Sequence, residues 1–284
     1  MSLQTRRFAQ VDVFTAMPLL GNPLAVVIDG DGLSDGAMAS FARWTNLSET
    51  IFLLTPTEPT ADYRVRIFTP TQELPFAGHP TLGAAHCWLA HGGTPKTKGM
   101  VVQQCGIGLV RIKCGGPPNK ERLAFAAPPL LRSGPVDAEI HAQVLTALRL
   151  SAAEVLDVVW VDNGPGWVAA RLANAAAVTA LVPDFLAMGA LKIGAVGAYP
   201  SGSPQQFEVR AFAPCIGVAE DPVTGSLNAG LALWLQEAGL APAKFIVAQG
   251  AALRRAGRIH VQREAADTWI GGDVTPMIEG QIRL

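Results

Sequence analysis

Cysteine is scarce in this chain and falls into no pattern. Cys87, Cys105, Cys114 and Cys215 are the four cysteines of 284 residues, without C-x-x-C spacing. That excludes a disulfide scaffold and points to reduced thiols in a cytoplasmic protein. An excess of charge of one sign is also missing: 22 Lys and Arg, scattered along the chain, stand against 23 Asp and Glu, for a net charge of −1 and a pI near 6.5. The basic footprint of a nucleic-acid binder is therefore absent. No run of about 18 apolar residues exists, so no membrane span is expected. Arg6-Arg7 resembles the start of an export signal, but Phe8-Ala-Gln-Val-Asp-Val-Phe14 alternates like a strand where a continuous apolar stretch would be needed.

Histidine is sparse too, at positions 79, 86, 91, 141 and 260. None has the spacing of a metal site with carboxylates or thiols. His86 and His91 lie five apart, off a common helix face, so no metal is expected. His141 and His260 read as surface or structural residues. Gly-x-Ser-x-Gly elbows, P-loops and dinucleotide fingerprints are all missing.

What is present is apolar residues, 49% of the chain, enough for one large core or two ordinary ones. An internal echo favours two. Tyr63-Arg-Val-Arg-Ile-Phe-Thr-Pro70 returns as Phe207-Glu-Val-Arg-Ala-Phe-Ala-Pro214, each copy followed by an apolar helix. In the first copy Pro75-Phe-Ala-Gly-His-Pro80 leads into a helix predicted from Pro80 to Ala90, with Gly78 and His79 at its positive end and Gly92 at its exit. In the second, Glu220-Asp-Pro-Val-Thr-Gly-Ser226 leads into Leu227 to Ala238, closed by Gly239. Trp88 and Trp234 take the same place in both helices and read as core anchors.

Around these motifs, strands are expected at Phe8–Phe14, Leu24–Ile28, Thr50–Leu54 and Tyr63–Phe68, with a helix capped by Ser34 that turns Met38, Phe41, Ala42 and Trp44 inward and exits at Asn46. Val101 to Lys113 reads as a hairpin, Gly115 to Asn119 as a turn, Arg122 to Ala126 as a strand, and Pro128-Pro129 as the linker. The second half reads as helices at Asp137–Leu148, after Ser151 and at Pro183–Met188. Its strands are expected at Val155–Val161, Trp167–Leu172, Ile193–Tyr199, Phe207–Phe212, Phe245–Ala248, Ala252–Ala256, Arg258–Arg263, Asp267–Gly271 and near Gly280–Leu284. Strands dominate without a βαβ rhythm, giving an α+β fold of mostly antiparallel sheet around one long apolar helix per half.

Three titratable groups stand out. Asn46 and Glu49 have capping-box spacing, but a buried strand follows where a cap needs a helix. Glu49 is then a carboxylate at the mouth of a buried strand, where desolvation would raise its pKa toward general acid-base use. His79 precedes Pro80 and Asp221 precedes Pro222, a matched pair in the two copies. Thr224, Gly225 and Ser226 supply a hydroxyl, bare backbone N–H groups and a helix cap suited to a carboxylate.

Together, Asp12-Val-Phe-Thr15, Gly21-Asn-Pro-Leu-Ala25, Asn46-Leu-Ser-Glu49, Ala77-Gly-His-Pro-Thr81 and Glu220-Asp-Pro-Val-Thr-Gly-Ser226 resemble the phenazine-biosynthesis PhzF-like family, within the diaminopimelate epimerase-like fold. The resemblance spans nearly the whole chain. It implies two pseudo-symmetric domains, each a β-barrel-like sheet around a central helix, residues 1–127 with 276–284 and residues 128–275, with the active site in the cleft between them, and a homodimer. It implies Glu49 as the proton-transfer residue, with His79 and Asp221 beside the substrate, and Asn22, Gly78, Thr224, Gly225 and Ser226 in contact with it. Related epimerases place cysteine bases where this chain has Ala77 and Asp221, a departure that speaks against a two-thiol racemase.

The expected activity is a cofactor-independent isomerase that shifts a proton between carbons of a small cyclic or unsaturated carboxylic acid, like the family's isomerisation of trans-2,3-dihydro-3-hydroxyanthranilate. The alternatives are a racemase using Glu49 and Asp221 as opposed bases, and a catalytically silent small-molecule-binding protein.

Overall fold

A computed structural model describes residues 3–114 and 122–284. The turn expected at Gly115 to Asn119 lies outside the described residues. The chain divides into two compact units, Met1–Ala126 with Gly271–Leu284, and Ala127–Ile270.

In the first unit the strands run in the spatial order 274–283, 5–13, 22–27, 50–54, 63–68, 100–105, 108–113 and 123–126. The pairs 22–27 with 50–54 and 63–68 with 100–105 are parallel, and the others antiparallel. The flanking segments close on each other, Gln4 and Leu284 exchanging backbone hydrogen bonds of 2.7 and 3.0 Å. Helix α1, Asp35–Thr45, starts where Ser34 Oγ accepts from Ala37 N and stops at Asn46, whose φ of 54° is left-handed. Helix α2, Gly78–Ala90, is buried nearly all round and touches strands 5–13, 22–27, 50–54, 63–68 and 123–126. A helix with no polar face belongs in a core. It lies close to the sheet at Gly83, where a Cβ would stand 2.4 Å from Leu24 Cδ2.

The second unit repeats the plan: 155–162, 167–172, 192–198, 207–213, 244–249 and 257–264 pair antiparallel, parallel, antiparallel, parallel, antiparallel. That is the sequence of pairings from 5–13 to 108–113 in the first. Strand 132–135 adds to the edge of 155–162. Helix α3, Ala138–Leu148, is capped by Asp137, and α4 is the short Ala175–Thr179. Helix α5, Gly225–Glu237, is the buried counterpart of α2, and at Gly230 a Cβ would stand 2.2 Å from the Val161 carbonyl oxygen.

Several expectations change. Trp44 is 80% exposed, stacked on Phe41 rather than turned into the core. Helices α2 and α5 each begin two residues before the expected start, so Pro80 is the third helical residue, where a missing N–H still costs nothing. Pro183 to Met188 makes turns instead of a helix, because Asp184 Oδ1 accepts from Leu186 N and Ala187 N and so takes over the backbone donors. The helix nearby is α4, capped by Asn174. Ala252 to Ala256 is no strand: left-handed Gly250 and Arg254 bracket the 3₁₀ turn Ala251–Leu253. Trp88 and Trp234 are half-buried, and counted from the helix starts they are one residue out of register.

Candidate active site

In the first unit, register brings three of the expected residues together. Strands 22–27 and 50–54 run parallel, with Ala25 opposite Thr50, so Asn22 and the Asn46-Leu-Ser-Glu49 turn lie at neighbouring strand starts. Thr45 and Thr50 join their hydroxyls at 2.7 Å, tying the exit of α1 to the strand after Glu49. Ser48 Oγ donates to Asn22 Oδ1 at 3.3 Å, which turns the Asn22 amide nitrogen toward His79 Nδ1, 3.4 Å away. Gly78 and His79 are the first two residues of α2, where the helix dipole is positive and no side chain caps the start.

His79 is 2% exposed, and burial holds its pKa down to about 3. The ring is neutral. An amide nitrogen has only protons to offer, so Nδ1 is the acceptor and the ring proton sits on Nε2. That nitrogen faces Glu49 Oε2 at 3.4 Å. The contact is longer than a strong hydrogen bond, and with a neutral imidazole it is no ion pair. The Glu49 side chain is 12% exposed.

In the second unit Asp221 ends the strand Val218–Asp221 and is half-buried. Thr224 stands at the N-cap of α5 in place of the expected Ser226, which is the second helical residue; no side chain caps the helix, and the Thr224 hydroxyl donates to Asp221 Oδ2 at 2.5 Å. Gly225 and Ser226 open the helix. The Ser226 hydroxyl accepts from Trp167 Nε1 at 3.1 Å, and its carbonyl from Asn163 Nδ2 at 2.9 Å.

The internal repeat pairs these residues differently from the expectation. Gly78 corresponds to Gly225 at the helix starts, which makes Ser226, not Asp221, the counterpart of His79. Leu74, opposite Ile67, corresponds to Asp221, opposite Ala211. Asp221 therefore belongs to the strand before the helix.

Sequence reasoning missed Asn163, Trp167, Asn228 and Gln249, all buried around the start of α5. Gln249 bonds Thr224, Asn228 and the Asp221 carbonyl. No residue of the repeat marks it: Gln103, which donates to Thr81 Oγ1 in the first unit, lies opposite Tyr63 and so matches Val247, opposite Phe207, rather than Gln249.

The model of the phenazine biosynthesis-like proteins, PhzC-PhzF, matches residues 11–280. The chain belongs to this family. It is 35% identical, over 92% of its length and 91% of the relative's, to the trans-2,3-dihydro-3-hydroxyanthranilate isomerase of Pseudomonas aeruginosa. It is 34% identical to antisense-enhancing sequence 1 of Schizosaccharomyces pombe, over 96% and 97% of the two chains. The solved structure of a predicted epimerase from Pseudomonas aeruginosa superposes with a TM-score of 0.80 at 30% identity, covering 98% of this chain and 99% of that one. This PhzC-PhzF chain is an isomerase with the α+β, epimerase-like fold.

Cys87, on α2, is buried, and burial pushes its pKa up to about 12, which makes it no base near neutral pH. Among the described residues no group of three or more His, Cys, Asp or Glu is arranged to hold a metal, and no helix is long and apolar enough to cross a membrane.

Proposed function

We propose that this isomerase moves a proton between two carbons of a small cyclic, unsaturated carboxylic acid, with Glu49 removing the proton and returning it. The observation that carries the reading is the facing pair of Glu49 and His79. A pKa of about 3 prevents the imidazole from taking up a proton near neutral pH, so of the two only Glu49 can serve as base. The Nε2 proton of His79 and the uncapped start of α2 are suited to the negative charge that develops as the carbon is deprotonated. One carboxyl group, loaded by the first step, supplies the proton for the second. No electrons are gained or lost, so the step calls for no redox cofactor.

The relative from Pseudomonas aeruginosa supports the substrate class, since its name describes a dihydro ring carrying carboxyl, amino and hydroxyl groups. We assign contact with the polar groups of such a substrate to Asn22 and Gly78 in the first unit and to Asp221, Thr224, Gly225 and Ser226 in the second.

The test is proton NMR in D2O with trans-2,3-dihydro-3-hydroxyanthranilate and related dihydroaromatic acids, for the wild type and Glu49→Gln. Double-bond migration by the wild type, lost in the variant, is the expected result. Inversion at a labelled carbon without migration would instead indicate a racemase with Glu49 and Asp221 as opposed bases. Equal rates for the two proteins would remove Glu49 from the mechanism, and binding without turnover would leave a silent binding protein.

A further inference from the structure

Four hydrogen bonds converge on the side chain of Gln249, at the end of strand Lys244–Gln249 and 1% exposed. Its Nε2 donates to the Asp221 carbonyl and to Thr224 Oγ1, each at 3.0 Å. Its Oε1 accepts from Thr224 N at 3.0 Å and from Asn228 Nδ2 at 2.8 Å. An amide nitrogen only donates and an amide oxygen only accepts, so the flipped orientation would set like against like at the Asp221 carbonyl, Thr224 N and Asn228 Nδ2, three of the four contacts.

That direction propagates. Thr224 has one hydroxyl proton, and with its oxygen already accepting from Gln249 the proton goes to Asp221 Oδ2, 2.5 Å away. The first unit has a glutamine–threonine chain at other positions, since Gln103 matches Val247 by strand register and Thr81 matches Asn228 by helix position. Gln103 Nε2 donates to Thr81 Oγ1 at 3.0 Å, and the Thr81 hydroxyl donates to the Ala77 carbonyl at 2.9 Å. That chain runs from the Tyr63 hydroxyl through Gln103 and Thr81 to a backbone carbonyl, whereas the one in the second unit ends on a carboxylate.

We propose that Gln249 is a positioning residue of the isomerase, holding the Asp221 carboxylate in one orientation through the Thr224 hydroxyl. The role in turnover rests on the assignment of Asp221 to substrate contact made above. The relay itself does not.

The test is a double-mutant cycle of Gln249→Met and Thr224→Val, read first from the side-chain carboxyl ¹³C resonance of Asp221, identified by its loss in Asp221→Asn. Each single variant should move that resonance, and the double variant should move it no further than the larger single effect. With trans-2,3-dihydro-3-hydroxyanthranilate as the probe, kcat should fall about tenfold while KM stays within about twofold, the size expected for one hydrogen bond to a charged group. Gln249→Glu keeps the volume and both accepted bonds but cannot donate while ionised. It should give the same shift, and it takes the place of Gln249→Met should that variant not fold. A resonance unmoved by the Gln249 variants, or additive effects in the cycle, would overturn the relay and leave Gln249 a purely structural residue. Wild-type turnover by Asp221→Asn would instead overturn the role of Asp221, with the resonance still deciding the relay.

Discussion

Arg210 grips Glu220 through two parallel bonds, Nε to Oε1 at 2.9 Å and Nη2 to Oε2 at 2.8 Å, with the two side chains only 6% and 8% exposed. The same fork recurs as Arg66 on Glu73, where the carboxylate is 41% exposed. Identical geometry should carry different weight. Removing one partner of a buried pair strands the other charge, so Arg210→Met is expected to cost about 3–5 kcal/mol, and Arg66→Met at most about 1 kcal/mol. Urea denaturation of both variants checks this, and comparable losses would contradict it.

His79 makes stability depend on pH. Its folded pKa of about 3 lies below the ordinary value of 6.5, so between those pH values the unfolded chain holds a proton that the native state does not. The contribution is complete above pH 6.5 and is lost as pH falls toward 3, by about 1.4 kcal/mol per unit. His86, also lowered by burial, acts in the same direction. Unfolding free energies measured from pH 4.5 to 6.5 should fall more steeply with acid in the wild type than in His79→Gln. Parallel curves would show that His79 is not held neutral.

The mechanism asks for a carboxylate at a particular reach. Glu49→Gln should lower the rate by about 10²–10⁴-fold, the usual contribution of a general acid-base. Glu49→Asp keeps the chemistry but draws the group back by one methylene, and should cost about 10²-fold. Steady-state rates of double-bond migration test both. An aspartate variant at full activity would argue against direct proton transfer by this residue.

The two central helices should tolerate a methyl group unequally. At Gly230 the obstacle is the Val161 carbonyl, part of a strand backbone, whereas at Gly83 it is the end of the Leu24 side chain, which can rotate. Gly230→Ala is expected to lose about 1–3 kcal/mol or more, and Gly83→Ala distinctly less. Thermal melts of the pair would reverse this order only if the strand yields more easily than the leucine.

How much of this was legible in the sequence depended on the range of the interaction. Ser34, Asn46 and Asp137 marked helix ends correctly because a cap is a contact between residues three or four apart. Glu49 was separable from a capping residue because Thr50–Leu54 forms a strand rather than a helix. Trp44 was misplaced because apolar character alone does not say which residues fill the space beneath α1, and Met38, Phe41 and Ala42 already do. The pairing of His79 with Asp221 was taken from the prolines beside them, whereas the helix starts set the true correspondence. Gln249 was invisible for another reason: its four bonds reach residues 21 to 28 positions away, and nothing local distinguishes it from any strand glutamine.

The pairing of strand 5–13 with strand 274–283 also has a consequence for how the chain is made. On the ribosome, the opening strand emerges long before the segment that flanks it, whereas Ala127–Ile270 is continuous. The second unit can therefore close while synthesis is still under way, and the first, though begun earlier, must wait with an open sheet edge until the final strand arrives.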